Sequence, residues 1–303
     1  ISYNWESFAK DATIAMIDVD AAELKKPTLK IDIPVHADLR EALPLLLQSS
    51  GGWKSHHEEW LAWCRERLQL YPAVTPKMRG DQEHVNPYYF IEQLFHQLES
   101  QDVIVCGDGT ACVTAFQAAA VKKGQRLFHN SGCASMGYDL PAAIGAALAC
   151  PDRKRIICIA GDGSIMMNLQ ELQTIMHHHL PVKIFVFNNR GYHSIRQTQH
   201  NFFADNIVGC GTESGLSFPD FRKIAEAFEM SFQRVEHHDD VRGAIAEVLA
   251  QPGAIMAEVI LNLEQAFEPK LSSRKLEDGT MITASLEDMA PFLSREELEK
   301  NRF

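Results

Sequence analysis

The sequence has few basic residues and no long apolar run. Its 303 residues include 29 Lys and Arg against 40 Asp and Glu, which gives a net charge of −11. Nucleic acids and anionic membranes attract basic surfaces, so this balance argues against both as partners. The longest apolar run, residues 140–150, has about half of the 18 or so residues that a membrane-spanning helix needs. No signal peptide is visible at the start of the chain.

The sequence also lacks paired cysteines. Its seven cysteines are odd in number, and none of them form a CxxC motif. This usage favours reduced thiols in a cytoplasmic protein and argues against a zinc site. Hydrophobic residues make up 46% and charged residues 23% of the chain, as in ordinary globular proteins. The length allows about two domains.

The organisation of the chain changes near residue 86. Before it, we predict strands over 13–19 and 31–35 and a helix that Asp38 caps, which together read as the end of an α/β unit. We divide the chain into residues 1–50, a helix and linker over 51–85, a domain over 86–262, and a tail over 263–303 that wraps the surface. The linker itself, 71–85, has two prolines and no periodicity. Because the chain opens at Ile1 within what reads as a domain, we expect a fragment of a longer protein.

From Asn86, which with Pro87 caps a helix, strands and helices alternate. Strands are predicted over 103–106, 155–160, 182–188, 231–235 and 254–261. Helices are predicted between them, with Asp108 as a cap near Thr110 and one continuous helix from Ser164 to about His178. This alternation predicts an α/β fold, a doubly wound parallel sheet with helices on both faces.

Two polar motifs follow neighbouring strands, GDGS at 161–164 and NNRG at 188–191. The 24 residues between Gly163 and Asn188 provide one helix and one strand. The two loops are therefore expected at the carboxyl ends of adjacent parallel strands, where open α/β sheets bind ligands. Each motif could also be a simple turn, but their joint placement at two strand ends argues against that alternative.

These loops contain the ligands that Mg²⁺ prefers. Asp162 offers a carboxylate, Asn189 an amide oxygen and Gly191 a backbone carbonyl, and all three are hard oxygen donors. Gly163 and Ser164 begin a helix whose free N–H groups favour a phosphate. The sequence therefore predicts a site for a diphosphate that one divalent cation bridges to the protein.

The GDGS–x24–NN pattern resembles the thiamine-diphosphate (ThDP) motif of the pyruvate-oxidase and acetolactate-synthase superfamily. The stretch NSGCASMGYDLPAAIGAA, residues 130–147, resembles the segment that carries the bend of the cofactor in that family. Residues 267–279 and 285–298 resemble the tail of acetolactate-synthase large-subunit-like chains, and 12–48 resemble the end of their Rossmann-like, FAD/NAD-binding-like central domain. The resemblance covers nearly the whole chain and implies that roughly the first half of the usual chain is absent.

The resemblance implies a role for each matching residue. The Mg²⁺ ligands would be Asp162, Asn189 and the carbonyl of Gly191, and the diphosphate would contact Gly163 and Ser164. Met136 would support the thiazolium ring, as suits an apolar, unbranched and polarizable side chain, and the Ala134 carbonyl would accept a hydrogen bond from the pyrimidine amino group.

The resemblance further implies a carboligase. It would decarboxylate pyruvate or a similar 2-oxo acid and transfer the acyl-anion equivalent to an acceptor, within branched-chain amino acid biosynthesis if the protein is a true acetolactate synthase. The activating glutamate of the family lies on the N-terminal domain of a partner subunit. No residue here matches it, so we assign no catalytic residue, expect a homodimer or higher homo-oligomer, and expect this chain alone to be inactive. In the family, the positions of Asp18 and Asp38 lie near the adenosine part of FAD, so FAD is an option for the full-length protein only, and Asp38 fits a helix cap at least as well.

Two departures from the family pattern leave other activities open. Thr198 stands where acetolactate synthases have the Trp of R-Q-W-Q, and Gly109-Thr110-Ala111 replaces a G-Q-H triplet that grips the diphosphate, although Thr110 keeps one hydrogen-bond donor. The alternatives are another 2-oxo-acid decarboxylase, an acyl-transferring ThDP lyase, or a non-catalytic ThDP-binding subunit. A dinucleotide oxidoreductase fits poorly, because GDGTAC and GDGSIM lack the third glycine of GxGxxG.

Overall fold

The computed structural model describes residues 8, 9, 11–54, 56–80, 84–150, 152, 155–203, 206–275 and 281–301. The chain forms two compact units. One comprises Ile1–Leu70 and Pro269–Phe303, and the other comprises Tyr71–Glu268. No helix among these described residues is long and apolar enough to cross a bilayer.

The first unit contains a pair of parallel strands and several helices. Strand β1, Ala15–Asp18, pairs with β2, Ile33–His36, close to the two predicted strands. Helix α1, Leu39–Ser49, begins after Asp38, whose carboxylate accepts a hydrogen bond from the Arg40 N–H at 2.8 Å. The other α-helices and strands described in this unit are α2, Glu58–Leu70; β9, Ser273–Lys275; β10, Met281–Thr283; and α12, Arg295–Lys300. The last three lie in the segment expected only to wrap the surface.

A six-stranded parallel sheet forms the centre of the second unit. Its strand order is β4-β3-β5-β6-β8-β7. The strands are β3, Val103–Cys106; β4, Arg126–Phe128; β5, Ile156–Gly161; β6, Val182–Asn188; β7, Ser231–Val235; and β8, Ile255–Ile260. The helices are α3, Pro76–Arg79; α4, Pro87–Gln97; α5, Thr110–Ala118; α6, Asp139–Ala149; α7, Asp162–Ile165; α8, Glu171–His177; α9, His193–Phe202; α10, Phe221–Ala227; and α11, Val241–Ala250.

Helices cover both faces of this sheet, as predicted for a doubly wound fold. The sequence of strand β6 is almost continuously apolar because both of its faces are buried. Phe185 and Phe187 face one core, while Ile184 and Val186 face the other. The first core contains α4, α5 and α11. The second contains α6, α8 and α10. Strands buried on both faces need apolar side chains at every position rather than at alternate ones.

Strands β5 and β6 lie side by side, which confirms the placement expected for the two polar motifs. They pair in parallel from Ile156 opposite Val182 to Gly161 opposite Phe187. The loops after them therefore meet at one edge of the sheet. The chain passes from β3 to β4 on one side of β3 and then from β4 to β5 on the other side, so its direction across the sheet reverses between β3 and β5. Ligands of open α/β sheets bind at such reversals.

Two predictions about the elements of this unit are corrected, and two of its elements were missed. The predicted linker contains α3, which Thr75 caps through the Met78 N–H, and Val74 and Met78 are buried. Thr followed by Pro is itself a helix-start signal. The predicted continuous helix after β5 is broken into α7, a 3₁₀ turn over Met166–Asn168, and α8. Strand β4 and helix α9 were not predicted.

Candidate cofactor site

A cavity of about 150 Å³ lies at the carboxyl ends of β3, β5 and β6. Three loops form its walls, each following one of these strands, and Met136 comes from a fourth segment. The lining residues are Asp108, Gly109, Thr110, Met136, Gly161, Asp162, Gly163, Ser164, Asn189, Gly191, Tyr192, His193, Ser194 and Ile195. Seven of the eight residues that the sequence assigned to a cofactor therefore line one cavity.

Asp162 joins the two polar loops. Its Oδ1 accepts a hydrogen bond from the Gly163 N–H at 2.8 Å, and its Oδ2 accepts one from the Gly191 N–H at 2.9 Å. The carboxyl is almost completely buried. Burial raises its pKa to about 7, although the two backbone N–H groups act in the opposite direction. A carboxyl held in this way would be stabilised as an anion by a nearby cation.

Asn189 has a buried oxygen with no hydrogen-bond partner among the residues that the structure describes. Its Nδ2 donates to the Thr110 hydroxyl at 3.0 Å. Its Oδ1 is fully buried and accepts no hydrogen bond from any described residue. An unsatisfied buried acceptor costs about 1–3 kcal/mol, and such atoms in native proteins call for an ion or water. Because Asn189 and Asp162 line the same cavity, their oxygens fit a divalent cation.

Two glycines are required by the close approach of these loops. A Cβ atom on Gly163 would overlap the ring of Tyr192. A Cβ atom on Gly191 would overlap the carbonyl oxygen of Cys210, and its φ of +142° also disfavours other residues. Gly163 and Gly191 are thus fixed by packing against Tyr192 and Cys210.

Arg196 holds the backbone of the second polar loop. Its guanidinium donates to the Asn189 carbonyl at 3.3 Å and to the Arg190 carbonyl at 3.1 Å. These contacts stabilise the loop where Arg190 has a φ of +54°. The carbonyls of Asn189 and Arg190 are therefore occupied by a guanidinium, which is consistent with the carbonyl of Gly191 as the backbone ligand expected from the sequence.

Ser164 connects the first polar loop to the segment that contains Met136. Its hydroxyl donates to Asp139 Oδ2 at 2.5 Å and accepts from the Gly137 N–H at 2.9 Å. Asp139 is completely buried, which raises its pKa, and it also accepts from the Leu140 N–H. Since the hydroxyl proton of Ser164 is already used, a phosphate contact by this residue would involve its backbone N–H.

Met136 and Ala134 differ in their placement. Met136 is half-buried and lines the cavity. Ala134 is exposed, has a φ of +53° and lies outside the residues that line the cavity. Its N–H donates to the Asn130 carbonyl at 2.9 Å. The role of the Ala134 carbonyl stays a prediction.

Several lining residues were missed by the sequence analysis. The residue expected to cap α5, Asp108, instead lines the cavity and accepts a hydrogen bond from the Cys112 thiol at 3.7 Å; Gly109, with a φ of +86°, precedes the helix. Residues 192–195 belong to the start of α9, which the sequence does not announce with a side-chain cap. Farther along α9, Thr198 is exposed, and its hydroxyl donates to the Ser194 carbonyl.

Comparison with known proteins identifies the domain that contains this cavity. Residues 102–259 match the family described as thiamine pyrophosphate enzyme, C-terminal TPP binding domain. The match begins just before β3 and ends within β8, so it includes all three loops of the cavity.

The chain is similar over most of its length to acetolactate synthases. It is 33% identical to acetolactate synthase 1, chloroplastic, of Nicotiana tabacum over 275 residues, which cover 88% of this chain and 41% of that protein. It is 30% identical to the acetolactate synthase large subunit of Cyanidium caldarium over 274 residues, 89% of this chain and 46% of that protein. For the isozyme 1 large subunit of Escherichia coli (strain K12), the identity is 28% over 267 residues, 87% and 45% of the two chains. The chain therefore spans less than half the length of these curated relatives.

Proposed function

The chain belongs to the thiamine pyrophosphate enzymes through their C-terminal TPP binding domain, and we propose that its cavity binds the diphosphate of ThDP together with one Mg²⁺. We propose further that the protein is a carboligase of the acetolactate-synthase type. Its substrate would be pyruvate or a similar 2-oxo acid. The names of the similar proteins and the geometry of the cavity support this assignment.

The buried Asn189 Oδ1, which accepts no hydrogen bond from the described part of the chain, carries the proposal, because it lies in the same cavity as the Asp162 carboxylate. With the Gly191 carbonyl, these two oxygens would hold Mg²⁺, which prefers hard oxygen ligands and completes its shell with phosphate oxygens and water. The Thr110 hydroxyl accepts from Asn189, so its own proton can be donated to the diphosphate. Gly163 and Ser164 would contact the diphosphate at the start of α7. Because the Gly163 N–H already donates to Asp162 Oδ1, the N–H contributed there would be that of Ser164.

The bound cofactor supplies the nucleophilic carbon through which a 2-oxo acid loses CO₂ and its acyl portion passes to an acceptor. The residues of this chain bind and orient the cofactor. Asp162 and Asn189 fix the diphosphate end, and Met136 supports the ring system from the adjacent segment. No residue here matches the glutamate of the family, and we propose that these 303 residues alone bind the cofactor without turnover.

The identity of the acceptor is less constrained. Thr198, which replaces a family Trp, is exposed on α9 and bonds to its own helix. Because the family Trp is absent at this position, we keep a second candidate function, that of another 2-oxo-acid decarboxylase or acyl-transferring lyase. A role in branched-chain amino acid biosynthesis is proposed only if the protein forms acetolactate. FAD binding is proposed only for a longer chain than these 303 residues. A non-catalytic ThDP-binding subunit is distinguished by assaying the intact protein with pyruvate and identifying the product.

We also propose that the protein assembles with copies of itself and that it is cytoplasmic. A homodimer or higher homo-oligomer is proposed, because large apolar side chains such as Phe202 and Phe203 are exposed. All seven cysteines are free, in keeping with the predicted cytoplasmic location, although similar proteins include chloroplastic ones.

Metal-dependent cofactor binding tests the proposal. ThDP is titrated into the protein with Mg²⁺ and with EDTA, and binding is followed by calorimetry. We expect binding to depend on Mg²⁺ and Asp162→Ala to abolish it, because the cation would lose its only charged protein ligand. Asp108→Asn, which changes another carboxylate that lines the cavity, should keep the Mg²⁺ dependence. Equal affinity of the unmodified protein in EDTA would contradict the proposal.

A further inference from the structure

A buried carboxylate on β8 lies outside the cavity but contacts the loop that forms it. Glu258 is 3% exposed. Its Oε2 accepts from Arg234 Nε at 2.7 Å, and its Oε1 accepts from Asn188 Nδ2 at 2.6 Å. Burying a carboxylate is costly unless it is paired and hydrogen-bonded. Both oxygens of Glu258 have such a partner, and one of these partners is the residue that precedes Asn189.

The register of the sheet places these three side chains together. Glu258 lies opposite Arg234 of β7 and opposite Val186 of β6. Asn188 is two residues beyond Val186 and therefore on the same face of the sheet. Diagonal neighbours of this kind are within reach of long side chains. Arg234 also lies 3.7 Å from carboxylate oxygens of Asp220 and of Glu236, which surround its outer side.

Glu258 determines which way the amide of Asn188 points. A carboxylate can only accept hydrogen bonds, so the NH₂ group of Asn188 must face it and the amide oxygen must face away. That oxygen accepts the Arg190 N–H at 3.0 Å. This bond closes a turn across Asn189. Arg190, which ends the turn, has a left-handed backbone conformation, and the N–H of the next residue, Gly191, donates to Asp162. The turn thus depends on an amide orientation that Glu258 fixes.

We propose that Glu258, acting through Asn188, is a positioning residue that holds the loop 188–191 in the conformation in which Asn189 and Gly191 bind Mg²⁺. This inference rests on the proposed function of the cavity. Glu258 does not itself contact the cavity. Arg234 of the edge strand β7 neutralises the buried carboxylate from the opposite side. Hydrogen bonds therefore connect Arg234 to Glu258, and Glu258 to Asn188 of the loop 188–191.

The test measures the Mg²⁺ concentration that half-saturates ThDP binding in the intact protein. The variants are Glu258→Ala, Asn188→Ala and the double variant. Each single change should raise the half-saturating concentration at least tenfold, because each releases the same turn. The double variant should lose no more than the larger single loss, as expected for residues that act through one contact. Glu258→Gln, which keeps one acceptor for Asn188, should fall between the wild type and Glu258→Ala.

The matched control is another buried ion pair of the same sheet. Asp102 is 2% exposed and binds Arg155 through both oxygens, at 2.9 and 2.7 Å, but it precedes β3 at the opposite end of the strands from the cavity. Asp102→Asn should lower the melting temperature without changing the half-saturating Mg²⁺ concentration. A general loss of stability is thereby separated from a loss of loop geometry.

Two results would overturn the inference. One is a half-saturating Mg²⁺ concentration in Glu258→Ala that equals that of Asp102→Asn, and the other is a double variant whose losses add. If Glu258→Ala does not fold, the half-buried Asn188 decides, and an unchanged Asn188→Ala rejects the inference. Absence of Mg²⁺-dependent ThDP binding in the wild type would instead reject the proposed function, so the two failures are distinguishable.

Discussion

Met136 is exposed to the cavity, whereas other methionines of the same unit, such as Met256, are completely buried. We expect Met136→Ala to lower turnover of the intact protein strongly while changing its melting temperature little, because the side chain would support the cofactor rather than fill a core. Met256→Ala is the matched control and should cost about 2–5 kcal/mol of stability, with turnover following the folded fraction. Unchanged turnover per folded Met136→Ala molecule would remove Met136 from the site.

Single residues were predictable where chain spacing alone determined their neighbours. Asp162 and Asn189 each follow one of two adjacent parallel strands, so their proximity follows from the count of residues between the motifs. Glu258 could not be predicted, because its contact with Asn188 joins residues 70 positions apart through the order of β6 and β8. Tyr192 was missed for a similar reason, since its packing on Gly163 depends on how α9 begins.

At the level of elements, one hydroxyl links α7 to the segment that leads into α6. We expect Ser164→Ala to lower the free energy of unfolding by about 1–3 kcal/mol, because the buried Asp139 carboxyl loses a donor. ThDP affinity should fall as well, because the segment with Met136 loses its anchor. The measurements are urea denaturation and calorimetric titration.

Thr174→Ala is the control for this prediction. The Thr174 hydroxyl donates to Glu171 within α8 alone, at 2.9 Å. Its removal should leave ThDP affinity unchanged, because no second element is released. If Ser164→Ala loses stability but binds ThDP as the wild type does, then the hydroxyl does not position the segment that contains Met136.

The buried strands were the most predictable elements. Strands β3 and β6 begin and end at the predicted residues, because continuous runs of β-branched and aromatic residues have few other places to be buried. Strand β7 also has its predicted bounds, although only Val235 in it is buried. Helix α9 was missed because its sequence, HSIRQTQHNF, is mostly polar, with Ile195 and Phe202 as its large apolar residues. Its position is determined by tertiary contacts, such as that of Arg196 with the loop before it.

At the level of the whole molecule, similarity to known proteins identifies the family of the chain, whereas the geometry of the cavity supports the proposed cation and diphosphate site. The family match covers the cavity, whereas the similar acetolactate synthases are more than twice as long as the aligned region. The cavity contains groups suited to a diphosphate and a cation, but no residue has been matched to the proton-transferring glutamate. We therefore propose that this chain binds the cofactor and that turnover requires an assembly in which that carboxylate is present.

Self-association and inactivity of the 303-residue chain can be tested on one sample. At the end of α9 and just after it, the large apolar side chains Phe202, Phe203 and Val208 are 76%, 60% and 63% exposed. Apolar surface of this kind marks contact sites, so we expect at least a dimer in size-exclusion chromatography with light scattering. The same sample should bind ThDP yet release no CO₂ from pyruvate. A monomer at all concentrations would contradict the proposed assembly, and measurable turnover would mean that an acid within this chain performs the role of the glutamate.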